Sequence, residues 1–133
     1  MGVPSWVETI ARNFDPDLNC WDLLRAVYQY NGIEIPDYNV PKIRRGLPAS
    51  SPLWQDVERA IDEAKIEWIQ VPEDQTLCLD VAEIRQMGRI HVGVHVAPGM
   101  IFHKIGPLVH VENFKGTSWN HRIVGWHRHP SLA

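Results

Sequence analysis

A cysteine stands where a helix is predicted to begin, at Cys20 in the run "DPDLNCWDLLRAVYQYNGIEIPDY". Asn19 is a favourable N-cap residue, and Asp22 supplies the acid of a short capping box. The free N–H groups and the dipole at a helix N-terminus stabilise an anion, so this thiol is expected to have a lowered pKa and to be nucleophilic. The alternative is a small buried side chain that merely begins a helix, and position alone favours it. A nucleophilic role therefore needs a base elsewhere.

The candidate bases lie in the segment "RIHVGVHVAPGMIFHK", which spans 89–104. Because side chains alternate along a strand, His91, Gly93 and His95 face one side of the predicted strand. The apolar residues between them face the other side, which suits a protein core. The histidine side is a polar face with a glycine between two imidazoles, and the catalytic residues are expected on this face.

The turn after this strand decides where the next histidine points. A two-residue loop would pair Val94 with His103 and place that imidazole on the core side. A three-residue loop that ends with Gly99 in the left-handed region pairs Gly93 with His103 instead, and places His103 on the side of His91. We predict the three-residue loop, because a polar ring is costly to bury among valines.

Together, these residues supply a nucleophile, a base and a group that orients the base. His91 would take the thiol proton of Cys20, and His103 would accept a hydrogen bond from the other ring nitrogen of His91. Cys78 lies mid-strand between leucines and has no base in its motif. Zinc also binds Cys and His, but no C-x-x-C or close H-x-x-H pair organises a metal site. We therefore rank a metal site below catalysis and expect no bound metal, no cofactor and no disulfide.

Helical patterns come first along the chain and strand patterns second, which predicts an α+β fold with helices segregated from an antiparallel meander. Apolar residues at helical spacing predict three helices, over 4–12, 19–30 and 51–68. A Pro-rich connecting loop is predicted between the second and third helices, over 33–52. After Pro72 the apolar period shortens, and strands are predicted over 76–84, 89–97, 100–106, 108–114 and 118–130.

The composition suits one compact domain over 1–133 and excludes several functional classes. The net charge of −3 provides neither a basic nucleic-acid footprint nor a polybasic membrane patch. The N-terminal run "MGVPSWVETIARNF" has no apolar signal core, and no segment approaches the roughly 18 apolar residues of a membrane span. We therefore expect synthesis in a cytoplasm, no export by the general pathway, no nucleic-acid partner and no membrane insertion.

Three motifs, in this order, resemble the NlpC family of papain-like cysteine peptidases, in particular short members from bacteriophage tails. The run "NCWDLLRAVYQYNGIEIPDY" is similar to the nucleophile helix of that group. The run "HVGVHVAPGMIFHK" is similar to its two histidine strands, and "RIVGWHRHP" to its closing strand. The resemblance covers roughly residues 5–130. It implies a small α+β papain-like fold, with N-terminal helices packed on a C-terminal antiparallel sheet.

Carried onto this sequence, the resemblance implies that Cys20 is the nucleophile, His91 the base and His103 the third polar residue. The residues expected to contact substrate lie beside these three, and they are Trp21, Gly93 and His95. The implied activity is that of a cysteine endopeptidase or amidase that hydrolyses peptidoglycan stem peptides. The Cys20 thiolate would attack an amide carbonyl next to a D-amino acid, and the backbone N–H of Cys20 is the expected oxyanion donor.

The resemblance also implies a setting for this activity. The expected partners are bacterial peptidoglycan and the hub or tip proteins of a phage tail. The expected location is the virion, after synthesis in the host cytoplasm without a signal peptide. Two other hypotheses stay open, namely a structural tail-tip protein with a vestigial papain-like site, and a thiol hydrolase or acyltransferase that acts on another substrate.

Overall fold

The computed structural model of the chain describes residues 2–16, 18–36, 53–86, 89–105, 108–119 and 121–133. The predicted Pro-rich loop lies outside the described residues from residue 37 onward, and so does the predicted cap of the third helix at 51–52. Among the helices that the structure does describe, none has the length and apolar content of a membrane-spanning segment.

Within the described ranges, three α-helices precede the sheet, and they are α1 (Ser5–Asn13), α2 (Cys20–Tyr30) and α3 (Leu53–Ala64). The predictions for α1 and α2 are confirmed to within one residue at each end. The third helix ends earlier than predicted. It tightens into a 3₁₀ turn at Lys65–Glu67, and the chain then enters a short strand that the sequence analysis missed. A strand of three residues is too short to establish a period of two.

Six strands form one antiparallel sheet: β1 (Ile69–Val71), β2 (Val81–Gln86), β3 (Arg89–Ala97), β4 (Met100–Ile105), β5 (Leu108–Asn113) and β6 (Ile123–Arg128). Their order across the sheet is β1-β6-β2-β3-β4-β5. The predicted meander is confirmed for β2 to β5. The last strand instead returns to pair with β2, and β1 pairs with β6 at the edge.

The helices pack on one face of the sheet. The apolar stripe predicted for α2 is buried and includes Leu24, Val27 and Tyr28. It packs in a helix-side cluster against Val92, Val94, Val96 and Phe102. This confirms the α+β fold, and it confirms that the valines of β3 face the core.

The other face of the sheet is covered as well, which the sequence analysis did not predict. A far-side cluster joins side chains of the sheet with two aromatic residues from the β5–β6 connection, and its buried members are Val71, Ala82, Ile84, Ile101, Phe114, Trp119 and Trp126. His95 is 5% exposed and His103 is fully buried on this face. The histidine face, which was expected to be polar, is therefore packed and buried, because aromatic rings shield it from water.

A buried ion pair joins the start of β2 to the end of β6. Arg128 donates from Nε to Oδ1 of Asp80 at 2.9 Å and from Nη2 to Oδ2 at 2.8 Å. Asp80 is 1% exposed, and its Oδ2 also accepts the backbone N–H of Leu77 at 2.8 Å. The carboxylate therefore depends on the guanidinium for its charge balance.

We predict that Arg128→Ala destabilises the fold by about 3–5 kcal/mol, because it leaves a buried carboxylate without its partner. Chemical denaturation of the wild type and the variant measures this change. Arg12→Ala is the matched control, since the Arg12–Glu8 pair is 73% and 75% exposed at its two side chains. Its loss is expected to cost less than about 1 kcal/mol. Equal losses in the two variants would contradict the anchoring role of Arg128.

Candidate active site

The N-terminus of α2 is fixed by a complete capping box. The Asn19 side chain accepts the N–H of Asp22 at 2.8 Å, and Asp22 accepts the N–H of Asn19 at 3.1 Å. This confirms the predicted cap. The Asp22 carboxylate is thus held at the cap, and Cys20 becomes the first residue of the helix.

The Cys20 thiol is surrounded by apolar side chains and backbone N–H groups. Burial raises the pKa of this thiol. The N–H of Val92, the charge of Lys104 and the N–H groups of Cys20 and Trp21 act in the opposite direction, but burial outweighs them. The expectation of a lowered pKa is therefore wrong for this structure, because loss of hydration disfavours a thiolate more than the helix end favours it.

The hairpin between β3 and β4 has the predicted register. Gly93 pairs with His103, and Gly99 has a φ of 75°. The predicted three-residue loop is wrong, because two residues separate the last pair of β3 and β4. The extra residue lies instead in β3, at a β-bulge between His95 and Ala97, and it shifts every pair by one position to give the predicted register.

This register brings two histidine rings together on the far side of the sheet. Nε2 of His91 lies 3.4 Å from Nδ1 of His103, and the rings are stacked at 15°. Burial, followed by the charges of His103 and Arg122, lowers the pKa of His91 to about 3. Burial, followed by the charges of His110 and Arg122, lowers the pKa of His103 to about 4. Both rings are neutral at pH 7, and a neutral imidazole is the form that accepts a proton.

Beside the histidine pair lies the carboxylate of Glu112, which was not predicted from the sequence. Nε2 of His103 lies 3.7 Å from Oε1 of Glu112, and Nε2 of His110 lies 3.0 Å from the same oxygen. The other oxygen accepts the indole N–H of Trp119 at 2.9 Å. Strand alternation in "LVHVEN" places His110 and Glu112 on one face, but only the pairing of β5 with β4 shows that this face is the one of His103.

The Cys20 thiol contacts the backbone N–H of Val92, the residue that follows His91 on β3. Cys20 packs against the helix-side cluster, which contains Val92. His91 precedes Val92 on β3 and pairs with Ile84, a member of the far-side cluster. In the part of the chain that the structure describes, no hydrogen bond joins Sγ of Cys20 to either imidazole. The catalytic roles of these residues therefore stay predictions.

The three expected substrate-binding residues lie in packed surroundings. Trp21 is 3% exposed, and its indole N–H donates to the carbonyl of Pro36 at 3.0 Å. His95 packs beside the rings of Phe114 and Trp126. Gly93 leaves space that the side chain of Ile101 fills. Their binding role stays a prediction, and each has a packing role in this structure.

The face that carries Cys20 holds a second acid–imidazole pair. Nε2 of His127 lies 3.8 Å from Oε2 of Glu83. Both residues line a cavity of about 20 Å³, together with Trp21 and Val92. That volume is sufficient for one water molecule and not for a peptide.

Cys78 is exposed, and both it and Cys20 are free thiols. Burial raises the pKa of Cys78, the Leu79 N–H opposes this increase, and the charge of Asp80 adds a smaller increase. Neither thiol therefore has the lowered pKa of an activated nucleophile.

The solved structures that are similar to this chain include two proteins of the NlpC/P60 family. One is a protein described as similar to a lipoprotein of the NLP/P60 family from Staphylococcus aureus subsp. aureus Mu50, with 14% identity, a TM-score of 0.56, and coverage of 92% of this chain and 39% of that one. The other is an NlpC/P60 family protein from Bacillus cereus ATCC 10987, with 13% identity, a TM-score of 0.57, and coverage of 96% and 41%. Neither a family model nor a curated protein sequence matches the chain.

These similarities define the fold as an α+β papain-like fold of the kind found in NlpC/P60 proteins, as the sequence predicted. At this level of identity they show the fold alone. The chain spans about two fifths of the length of those two proteins, with coverage of 39% and 41%.

We predict that Gly93→Ala disturbs the histidine pair and destabilises the sheet. An added Cβ would lie 2.8 Å from Cδ1 of Ile101 and 3.1 Å from Cβ of His103. Overpacking of this kind costs about 1–3 kcal/mol. Gly125→Ala is the matched control on β6, where the nearest atom is Nε2 of His127 at 3.7 Å, an ordinary contact.

The free energies of unfolding of the two alanine variants, measured by chemical denaturation, test this prediction. Gly125→Ala should change stability by less than about 1 kcal/mol, because Ala fits there without a clash. A Gly93→Ala protein as stable as the wild type would show that the contact between β3 and β4 is looser than described.

Proposed function

We propose that this chain is a cysteine peptidase or amidase domain that cleaves peptidoglycan stem peptides. The observation that carries the proposal is the pair of adjacent histidines on β3 and β4, in an NlpC/P60-like fold whose second helix, α2, begins with a cysteine. The order of the motifs along the chain supports the same assignment. The proposed roles are Cys20 as nucleophile, His91 as base and His103 as the residue that orients the base.

In the proposed reaction, Sγ of Cys20 attacks the carbonyl carbon of an amide, and His91 takes the thiol proton. The tetrahedral intermediate collapses as His91 donates that proton to the leaving amine, and a thioester remains. Water then attacks the thioester and regenerates the thiol. Nε2 of His91 lies against His103, so Nδ1 is the nitrogen left to exchange the proton.

The hydrogen-bond chain defines the tautomers that this mechanism needs. His91 must donate from Nε2 to Nδ1 of His103, so that its own Nδ1 carries a lone pair. His103 then carries its proton on Nε2, which points toward Oε1 of Glu112 at 3.7 Å. The carboxylate stabilises the positive charge that forms on His91 during proton transfer.

The described conformation is a resting one for this chemistry. The thiol is protonated at neutral pH, because burial raises its pKa. It packs against the helix-side cluster beside Val92, the residue that follows His91. Catalysis requires Sγ to come within hydrogen-bond reach of Nδ1 of His91.

We further propose that the domain acts from a phage tail, with tail hub or tip proteins as its partners and the virion as its location. The resemblance of the three motifs to short tail-associated members of the family supports this proposal. Co-purification of the chain with tail particles tests it.

A second candidate function is a structural tail-tip protein with a vestigial papain-like site. Two observations favour it: burial raises the pKa of the Cys20 thiol, and among the described residues no hydrogen bond joins that thiol to either imidazole, as it would in an assembled site. In this case the packed rings of the far-side cluster stabilise the fold and move no proton.

Cleavage of purified stem peptides, followed by mass spectrometry, distinguishes the two candidates. We predict turnover by the wild type and by Cys78→Ala, and none by Cys20→Ala. His91→Ala should lower the rate by about 10²–10⁴-fold, the usual loss on removal of a base. His103→Asn should retain more activity than His103→Ala, because an amide oxygen still accepts a hydrogen bond. Circular dichroism confirms that each variant is folded.

Labelling with iodoacetamide at neutral pH supplies an independent result. Faster labelling of Cys20 than of Cys78 shows an activated thiol and supports the peptidase. Slower labelling of Cys20, combined with absence of turnover in the wild type, contradicts the peptidase and supports the structural protein. Turnover that survives in Cys20→Ala contradicts the proposed nucleophile.

A further inference from the structure

We propose that His103, His110 and Glu112 form a binding site for a divalent transition-metal ion of the zinc type. The three residues lie on β4 and β5 and share the far side of the sheet. One ligand atom from each lies within 4.8 Å of the other two. Two imidazoles and one carboxylate are the donor set of a zinc site with an open fourth position.

The distances within the cluster suit a metal centre. A tetrahedral zinc ion lies roughly 2.0–2.2 Å from nitrogen and oxygen ligands, so two ligand atoms are separated by roughly 3.3–3.5 Å. Oε1 of Glu112 lies 3.0 Å from Nε2 of His110 and 3.7 Å from Nε2 of His103. These values bracket the separation that a shared ion requires.

One ring nitrogen of His103, Nε2, is available as a metal ligand. His103 is fully buried, and its Nε2 has no hydrogen-bond partner among the described residues. Nε2 of His110 is likewise without one among those residues, although it lies close to the carboxylate. A buried imidazole nitrogen without a hydrogen bond is costly. A metal ion satisfies both nitrogens at once.

The surrounding hydrogen bonds orient two of the ligands. Nδ1 of His103 lies 3.4 Å from Nε2 of His91, which can accept its proton and fix the Nε2 lone pair on the metal side. The indole N–H of Trp119 holds Oε2 of Glu112 at 2.9 Å and leaves Oε1 for the ion. Such outer hydrogen bonds are typical of metal-binding histidine and carboxylate groups.

Access to the cluster is from the edge of the sheet. The side chains of His110 and Glu112 are 40% and 29% exposed, whereas His103 closes the inner end. An ion can therefore enter past His110, and a water molecule can occupy the fourth position. This site was not predicted from the sequence, because its ligands lie on two strands and converge when β4 and β5 pair.

Metal binding also changes the tautomers of the histidine pair. The effect on activity that we derive from this change rests on the proposed function. A metal on Nε2 of His103 places that ring's proton on Nδ1, and the hydrogen bond to His91 then runs from His103 to His91. The remaining proton of neutral His91 moves to its Nδ1, the nitrogen proposed to accept the thiol proton. The ion would therefore inhibit the peptidase by removing its base.

Titration of metal-free full-length protein with Co²⁺ tests the site without any need for activity. We expect one equivalent of Co²⁺ to bind, with visible bands of a low-coordinate nitrogen and oxygen site and no thiolate-to-cobalt charge transfer. Zn²⁺ should displace it. His110→Ala and Glu112→Gln should each weaken binding by at least about 10- to 100-fold, the loss that even outer partners cause. Both residues are partly exposed, so the variants should fold.

His121→Asn is the matched control, because His121 is an exposed histidine outside the cluster. Asn tolerates its left-handed φ of 64°, so the backbone should be unchanged. This variant should bind Co²⁺ like the wild type. The proposal is overturned by absence of stoichiometric binding, by binding that His110→Ala and Glu112→Gln leave unchanged, or by a charge-transfer band that Cys20→Ser or Cys78→Ser removes.

If the chain cleaves stem peptides, one equivalent of Zn²⁺ should inhibit the wild type and leave His110→Ala active. Loss of inhibition with stoichiometric binding intact contradicts the tautomer argument and leaves the metal site standing. A protein that binds metal and cleaves nothing contradicts the proposed function and not the site.

Discussion

The pairing of Gly93 with His103 is the constraint on which the candidate site depends. A shift by one residue would move His103 from the far side of the sheet into the helix-side cluster of valines. The β-bulge before the turn and the left-handed Gly99 fix the pairing. Gly93 suits the position opposite His103, since an added Cβ there would lie 2.8 Å from Cδ1 of Ile101 and 3.1 Å from Cβ of His103. The contacts of His91, His110 and Glu112 with His103 all follow from that position.

The sheet is packed on both faces, and each face holds part of the candidate site. The thiol of Cys20 packs on the helix side beside Val92, and the imidazole of His103 is buried on the far side under the ring of Trp119. Burial acts on both groups in the same sense, because it disfavours the charged form. It therefore keeps the thiol protonated and the histidines neutral. A peptidase needs the thiol within hydrogen-bond reach of an imidazole, whereas a structural protein or a metal site requires no such contact.

Local signals predicted more of this structure than long-range ones. The capping box at Asn19 and Asp22, the alternation along β3 and the hairpin register all depend on neighbours in sequence, and all are confirmed. The pKa of the Cys20 thiol was predicted in the wrong direction, because its hydration depends on how α2 packs against the sheet. Glu112 was missed for a similar reason, since its approach to His103 depends on the pairing of β5 with β4.

Nuclear Overhauser measurements on isotope-labelled protein test whether this register places the histidines together on the far side. We expect cross-strand backbone contacts between Gly93 and His103 and between Val94 and Phe102. We also expect contacts of the His103 ring with the rings of His91 and Trp119. Backbone pairing of Val94 with His103, or contacts of the His103 ring with the helix-side valines, would contradict this register.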